Sequence, residues 1–91
     1  MSNNVRDNTE RHRFELDVDD HVAFSNFKRD GGIITIMHTE VPAALKGRGI
    51  GSALVRGLLD IARVQQLKVV PLCPFVASYT AKHAEYADLL R

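Results

Sequence analysis

The segment His38-Thr-Glu-Val-Pro-Ala-Ala-Leu-Lys-Gly-Arg-Gly-Ile-Gly-Ser52 constrains this chain more than any other. An apolar strand runs into a loop with three alternate glycines, and the loop opens directly into an amphipathic helix. Gly47, Gly49 and Gly51 let the backbone turn without Cβ clashes and point several N–H groups at one place, where the helix adds the positive end of its dipole. Such a geometry is an anion site, and a pyrophosphate fits it.

The elements around the loop follow from hydrophobic periodicity. Residues 1–11 are polar and without apolar period, so they are expected to be a flexible N-terminal extension, with the domain spanning 12–91. Phe14, Leu16 and Val18 alternate with Arg13, Glu15 and Asp17, as in a strand with one buried face. Asp19-Asp20 marks a turn, His21 to Lys28 alternates again, and Asp30-Gly31-Gly32 is a hairpin signal. From Ile33 to Val41, strict alternation puts Ile34, Ile36, His38 and Glu40 on one face, and the apolar first half predicts a central strand covered on both sides. Pro42 ends it.

Ile50, Ala53, Leu54, Gly57, Leu58 and Ile61 recur at helical spacing, with Ser52, Arg56, Asp60 and Arg63 opposite. This helix is expected to cross the sheet, with Gly57 allowing close approach to a strand. Lys68 to Cys73 then reads as a strand parallel to the one ending near Val41, and Pro71 points to an exposed edge or a distortion there. Pro74 suits the first position of a second helix, which Cys73 would cap; Glu85 to Leu90 adds a turn or two. The fold class is α/β, a mixed and mainly antiparallel sheet in the order β-β-β-α-β-α.

Composition narrows the function. The chain has 91 residues, 45% of them hydrophobic, which suits one small folded domain. With 12 basic and 11 acidic residues interspersed there is no basic stripe, so no nucleic acid is expected as a ligand. No apolar run reaches the length of a bilayer span, and no signal-peptide core is visible, so no membrane partner is expected. The single cysteine, Cys73, rules out an internal disulfide and fits a reducing, cytoplasmic setting. His12, His21 and His83 lie far apart and form no close-spaced ligand set with Cys73; no metal is expected.

Spacing separates the families that could own the glycine loop. A phosphate-binding P-loop ends in Gly-Lys-Ser/Thr, and nothing here matches that ending; a dinucleotide fold wants Gly-x-Gly-x-x-Gly after its first strand, and this loop has Gly-x-Gly-x-Gly after an antiparallel meander. Lys46 to Gly51 instead resembles the Arg/Gln-x-x-Gly-x-Gly/Ala signature of the GNAT superfamily of N-acetyltransferases, with Lys46 a conservative departure at the first position. The chain is similar, over roughly residues 12 to 90, to the small stand-alone GNAT-like proteins. Three blocks carry the likeness: His38 to Pro42, Gly47 to Gly51, and Val70 to Phe75. Where that group often has Pro-Glu-Tyr near its C-terminus, this chain has Ala84-Glu85-Tyr86.

The resemblance implies an N-acetyltransferase with acetyl-CoA as co-substrate. Pantetheine would lie between the splayed ends of the parallel strands, pairing with backbone near Thr39 and Val41. The phosphates would sit on Lys46, Gly47, Arg48, Gly49, Ile50, Gly51 and Ser52. Backbone amides at a helix start bind phosphate whatever their side chains, and Arg48 can add a charge-assisted contact.

Acetyl transfer needs a neutral amine, donors for the oxyanion of the tetrahedral intermediate and a proton for the departing thiolate. Glu40 and His38 are candidate bases, and an imidazole of pKa about 6.5 suits proton transfer near neutrality. A solvated strand-end glutamate and a hydrogen-bonded core histidine are the alternatives. Cys73, at a helix N-cap, should have a lowered thiol pKa. In the family it is a candidate nucleophile or leaving-group acid, so direct transfer and an acetyl-Cys73 intermediate both stay open, as does a buried thiol with no chemistry. Tyr79 and Tyr86 are further candidates for the acid, and helical spacing favours Tyr79.

Only Asp19-Asp20 separates the first two predicted strands, where larger GNAT enzymes place helices that wall the acceptor pocket. The acceptor is therefore an unidentified amine, small or on a protein. The domain is expected as a monomer or weak homodimer. A non-catalytic CoA-binding or sensing module is the alternative from a different class.

Overall fold

The computed structural model describes residues 4–91. Five strands form one sheet in sequence order: β1 (Arg6–Asn8), β2 (Arg13–Val18), β3 (His21–Asp30), β4 (Ile33–Glu40) and β5 (Lys68–Pro71). Neighbours among β1 to β4 are antiparallel, and β5 lies parallel to β4. Helix α1 (Ile50–Val64) makes the crossover between β4 and β5, and α2 (Pro74–Lys82) follows β5. The result is the expected mixed, mainly antiparallel α/β architecture with one more strand at its start.

Local chemistry fixes the turns. Asp19 and Asp20, with φ of 48° and 64°, make a two-residue left-handed turn between β2 and β3, a conformation that short polar residues tolerate better than others. Gly31, at φ 59°, opens the hairpin between β3 and β4. Pro71 sits on the outermost strand, where its missing N–H breaks no ladder on the free side.

One continuous core lies between the sheet and a single layer made of α1, α2 and a 3-10 segment at Ala84–Leu89. The sheet contributes Phe14, Leu16, Ala23, Phe27, Ile34, Ile36 and Val69; α1 contributes Leu54, Val55, Leu58, Leu59 and Ala62. Each fully buried Leu or Ile here contributes about 1.5–3 kcal/mol through area removed from water. The buried stripe of α1 is rotated from the expected one, leaving Ala53 exposed. Because both helices occupy the same layer, β4 is not covered from two sides, and Ile33 and Thr35 are only half-buried.

Ordered structure reaches into the segment expected as an extension over residues 1–11. Residues 1–3 lie outside the described residues, but Val5 is in the core and Arg6–Asn8 pair with Arg13–Glu15. Glu15 holds this strand: its nearly buried carboxylate accepts from Arg6 Nη2 at 2.8 Å, Asn8 Nδ2 at 3.2 Å and Arg13 Nε. A three-residue strand with one flanking apolar residue leaves no period to read, and its main anchor is polar.

Candidate active site

The start of α1 is an open cradle. Gly47 and Gly49 adopt φ of 79° and 72°, and Gly49 is the N-cap residue. A side chain at either would be strained, because the left-handed region costs a non-glycine residue about 1–2 kcal/mol. Among the described residues no side chain caps the helix, and its first turn holds no acidic residue, so the first-turn amides are left for a ligand or water and no carboxylate in that turn offsets the dipole. A cleft of about 260 Å³ opens on these amides, lined chiefly by Lys46, Gly47, Gly49, Ile50, Gly51 and Ser52, with Val41, Leu45 and Phe75 as apolar walls. The chemistry suits a phosphorylated ligand with an apolar arm. The Arg48 guanidinium donates to Asp19 Oδ2 at 2.7 Å, joining the β2–β3 turn to the loop.

A β-bulge shapes the neighbouring strand. Asn26 pairs with His38 but Phe27 pairs with Ile36, so Met37 is an extra residue in β4. The alternation that places Ile34, Ile36, His38 and Glu40 on one face therefore fails at Met37. Ile34 and Ile36 face the core, and beyond the bulge Thr39 faces the core instead. His38 and Glu40 turn to the helix-free face, each side chain 60% exposed, with Nε2 and Oε1 3.5 Å apart.

The parallel strands part at the same level. Pro71 stands opposite Ile36, the Cys73 N–H donates to the Ile36 carbonyl at 2.9 Å, and no further pair joins the two strands among the described residues. Past this point β4 continues beside β3 to Glu40 while the chain turns into α2. The gap thus has Cys73 at its apex, Thr39 and Val41 along one edge and Phe75 near its mouth.

Cys73 is buried and is the N-cap residue of α2, as its sequence position predicts. Its thiol donates to Thr39 Oγ1 at 3.4 Å, and Thr39 Oγ1 lies 2.8 Å from Ser25 Oγ. Burial pushes the thiol pKa up, but the Thr39 hydroxyl and the backbone N–H groups of Val76, Phe75 and Thr39 outweigh it, and the net shift is down. Sequence reading missed Ser25. The signal was present: a hydroxyl between Ala23 and Phe27, at a position whose period points into the core.

Tyr79 lies elsewhere. Its ring stacks on His83 at 3.9 Å, 6.2 Å from the Tyr86 ring. Burial raises its pKa; Arg56 opposes this, and Glu85 and Asp60 add to it. Those neighbours belong to α1 and the C-terminal segment, and among the described residues Tyr79 makes no hydrogen bond or ring contact with Thr39, Cys73, His38 or Glu40. Tyr86 donates to Asp60 Oδ1 at 2.9 Å and serves the same C-terminal packing. Among the described residues no three His, Cys, Asp or Glu side chains group as a metal site, and no helix is long and apolar enough to cross a membrane.

Comparison with known proteins agrees with this geometry. A family model for GCN5-related N-acetyl-transferase matches residues 13–89. Protein NATD1 of Gallus gallus and of Homo sapiens is 35% identical over 51 residues, which is 56% of this chain and 46% and 45% of those proteins. The chain thus spans about half the length of the curated relatives it matches. A GCN5-like protein of Staphylococcus aureus, solved by NMR, superposes on the whole chain with a TM-score of 0.72 at 27% identity, over 91% of its own length. Fold and loop together define a minimal GNAT-type domain. The chain belongs to the GCN5-related N-acetyltransferase family.

Proposed function

We propose that this domain binds acetyl-CoA at the start of α1 and transfers the acetyl group to an amine. One observation carries the reading: an uncapped helix mouth, open to a cleft, lies beside a gap between parallel strands that has a polarised thiol at its apex. The backbone of Lys46 to Ser52 would hold the diphosphate, with Lys46 and Arg48 adding charge, and main-chain groups of Thr39 and Val41 would align the pantetheine arm. A bound thioester supplies an acyl carbon that a neutral amine can attack.

His38 and Glu40, adjacent on the open face, are the groups able to take the ammonium proton, directly or through water. Cys73 is the best placed of the three candidates for returning a proton to the leaving sulfur, since Tyr79 is stacked on His83 and Tyr86 donates to Asp60. In direct transfer the nitrogen–carbon bond forms as the carbon–sulfur bond breaks, the base takes the amine proton and the leaving sulfur gains one. In the covalent route the Cys73 thiolate attacks the acyl carbon, the bond to the CoA sulfur breaks and CoA leaves as the thiol with the proton Cys73 gave up. The amine then attacks the acetyl-Cys73 carbon, loses its proton to the base and releases the Cys73 thiolate. The two-residue turn at Asp19-Asp20 leaves the acceptor side without a helical wall, which suits a large or protein-borne amine or completion by a second copy. A cytoplasmic setting, as a monomer or weak homodimer, goes with this reading.

Calorimetric titration with CoA and acetyl-CoA, alongside thiol release against an amine panel, tests it. Saturable binding with amine-dependent release is expected. Binding without release would make the domain a CoA-binding module, and no binding by folded protein would end the proposal. Turnover retained by Cys73→Ala would eliminate the acetyl-cysteine route.

A further inference from the structure

We infer that Ser25 is a positioning residue that acts on Cys73 through Thr39, holding the Thr39 hydroxyl as a donor to the Cys73 sulfur. The three side chains come from three different elements, β3, β4 and the turn into α2, and meet only because the bulge at Met37 brings Thr39 to the core face. Ser25 is fully buried, at 0% exposure, and its hydroxyl lies 2.8 Å from Thr39 Oγ1. A buried O–H is costly to leave unmade. Either hydroxyl of the Ser25–Thr39 pair can donate; when Ser25 does, the hydrogen of Thr39 is left for the sulfur 3.4 Å away.

The two hydroxyls have two arrangements. With a neutral thiol, the S–H can donate to Thr39 and Thr39 to Ser25, but the Ser25 hydrogen is then without an acceptor among these groups. With a thiolate, Ser25 donates to Thr39 and Thr39 to sulfur, and every hydrogen in the chain is placed. Hydrogen bonds in series also polarise one another. Ser25 therefore favours the thiolate without touching it. Among the described residues no charged side chain competes: Cys73 is influenced by burial, the Thr39 hydroxyl and the three backbone N–H groups. His38 and Glu40, which flank Thr39 in sequence, face the opposite side of the sheet, and Arg56, Asp60 and Glu85 surround Tyr79. The inference deepens the acetyl-cysteine route of the proposed function, in which the thiolate is the nucleophile and on which its catalytic meaning rests, but its test needs neither CoA nor turnover.

Cys73 is the only cysteine, so the pH dependence of whole-protein alkylation by iodoacetamide reads its ionisation alone. Thr39→Val is expected to move the midpoint upward by about one pH unit, a tenfold loss of thiolate at a given pH. Ser25→Ala is expected to move it in the same direction by roughly half as much. Ser25→Thr, which keeps the hydroxyl, is expected to retain the wild-type midpoint. The double variant should match Thr39→Val alone, because Ser25 has no other route to the sulfur. An unchanged or lowered midpoint in folded Ser25→Ala overturns the inference, as does a Ser25 effect that adds in full to that of Thr39→Val. Should Ser25→Ala not fold, Ser25→Val against Ser25→Thr, an isosteric pair that differs by the hydroxyl and suits a strand, carries the same comparison. Failure of CoA binding with these shifts intact would sink the proposed function and leave the relay standing.

Discussion

Phe75 closes over Gly51: a Cβ built on this glycine would come within 2.8 Å of the ring Cζ. The contact joins the first turn of α2 to the first turn of α1, across the cleft where the phosphates are proposed to sit. Gly51→Ala must displace the ring, which is 44% exposed and free to swing. Because alanine also gains up to about 1 kcal/mol of helix propensity, the melting temperature should change little. Affinity for CoA should fall by about tenfold, some 1.4 kcal/mol. Calorimetry and thermal denaturation on the same sample check both halves, and an unchanged affinity would remove Phe75 and Gly51 from the binding site.

The Arg48–Asp19 ion pair sets a second expectation. Both side chains are about half exposed or more, so the pair itself contributes only about 0.2–1 kcal/mol to stability. Its interest is competition: while Arg48 serves Asp19, it is not available to an incoming phosphate. Asp19→Asn keeps a residue that tolerates the left-handed turn and removes the charge. CoA should then bind about two- to fivefold more tightly in low salt, with the gain shrinking at high salt as screening rises. Arg48→Ala should weaken binding under the same conditions. Titrations at two ionic strengths distinguish these outcomes.

How much of this was legible in the sequence differs by element, for physical reasons. The glycine loop, α1 and the parallel strand announced themselves because each combines a strong period with backbone punctuation, as at Pro42, Gly47 and Pro74. The strand Arg6–Asn8 did not, since it is held by Glu15 and its guanidinium partners and not by an apolar stripe. The faces of His38, Thr39 and Glu40 were reversed by Met37, because a bulge shifts the period by one and leaves no mark in the residue types. Ser25 was overlooked for a related reason: a buried hydroxyl has meaning only once its partner's face is known.

Glu15 gives a pH-dependent prediction. Burial raises its pKa, but hydrogen bonds from Arg13 and Asn8 and the charges of Arg6 and Arg13 outweigh that and hold the carboxyl below its usual value. A depressed folded-state pKa contributes stability that is complete above the unfolded value of about 4.3 and is lost as pH falls through the folded one. Glu15→Gln removes this contribution and leaves Arg6 and Arg13 without their shared anion. It should cost about 1–3 kcal/mol at pH 7. The gap between variant and wild type should then close on acidification below about pH 4. Urea denaturation from pH 7 to pH 3 measures it, and a gap that stays constant would refute the assigned role.

Tyr86 gives the opposite sign at the other end of the scale. Burial first, then the hydrogen bond to Asp60 and the charges of Asp60, Tyr79 and Glu85, push its phenol up to about 12. A folded-state value above the unfolded value of about 10 means that the neutral phenol is the form the fold favours. Its contribution is complete below about pH 10 and is lost as pH rises toward the folded-state value. Tyr86→Phe deletes the donor to Asp60 but keeps the ring that packs near Arg63. It should cost about 0.5–1.5 kcal/mol at neutral pH. Above pH 10 the variant should lose stability less steeply than the wild type, because one buried phenol no longer has to ionise. Alkaline denaturation curves of the two proteins, compared as a difference so that the remaining titrating groups cancel, decide the matter: parallel curves would mean that Tyr86 ionises as readily in the folded chain as in the unfolded one.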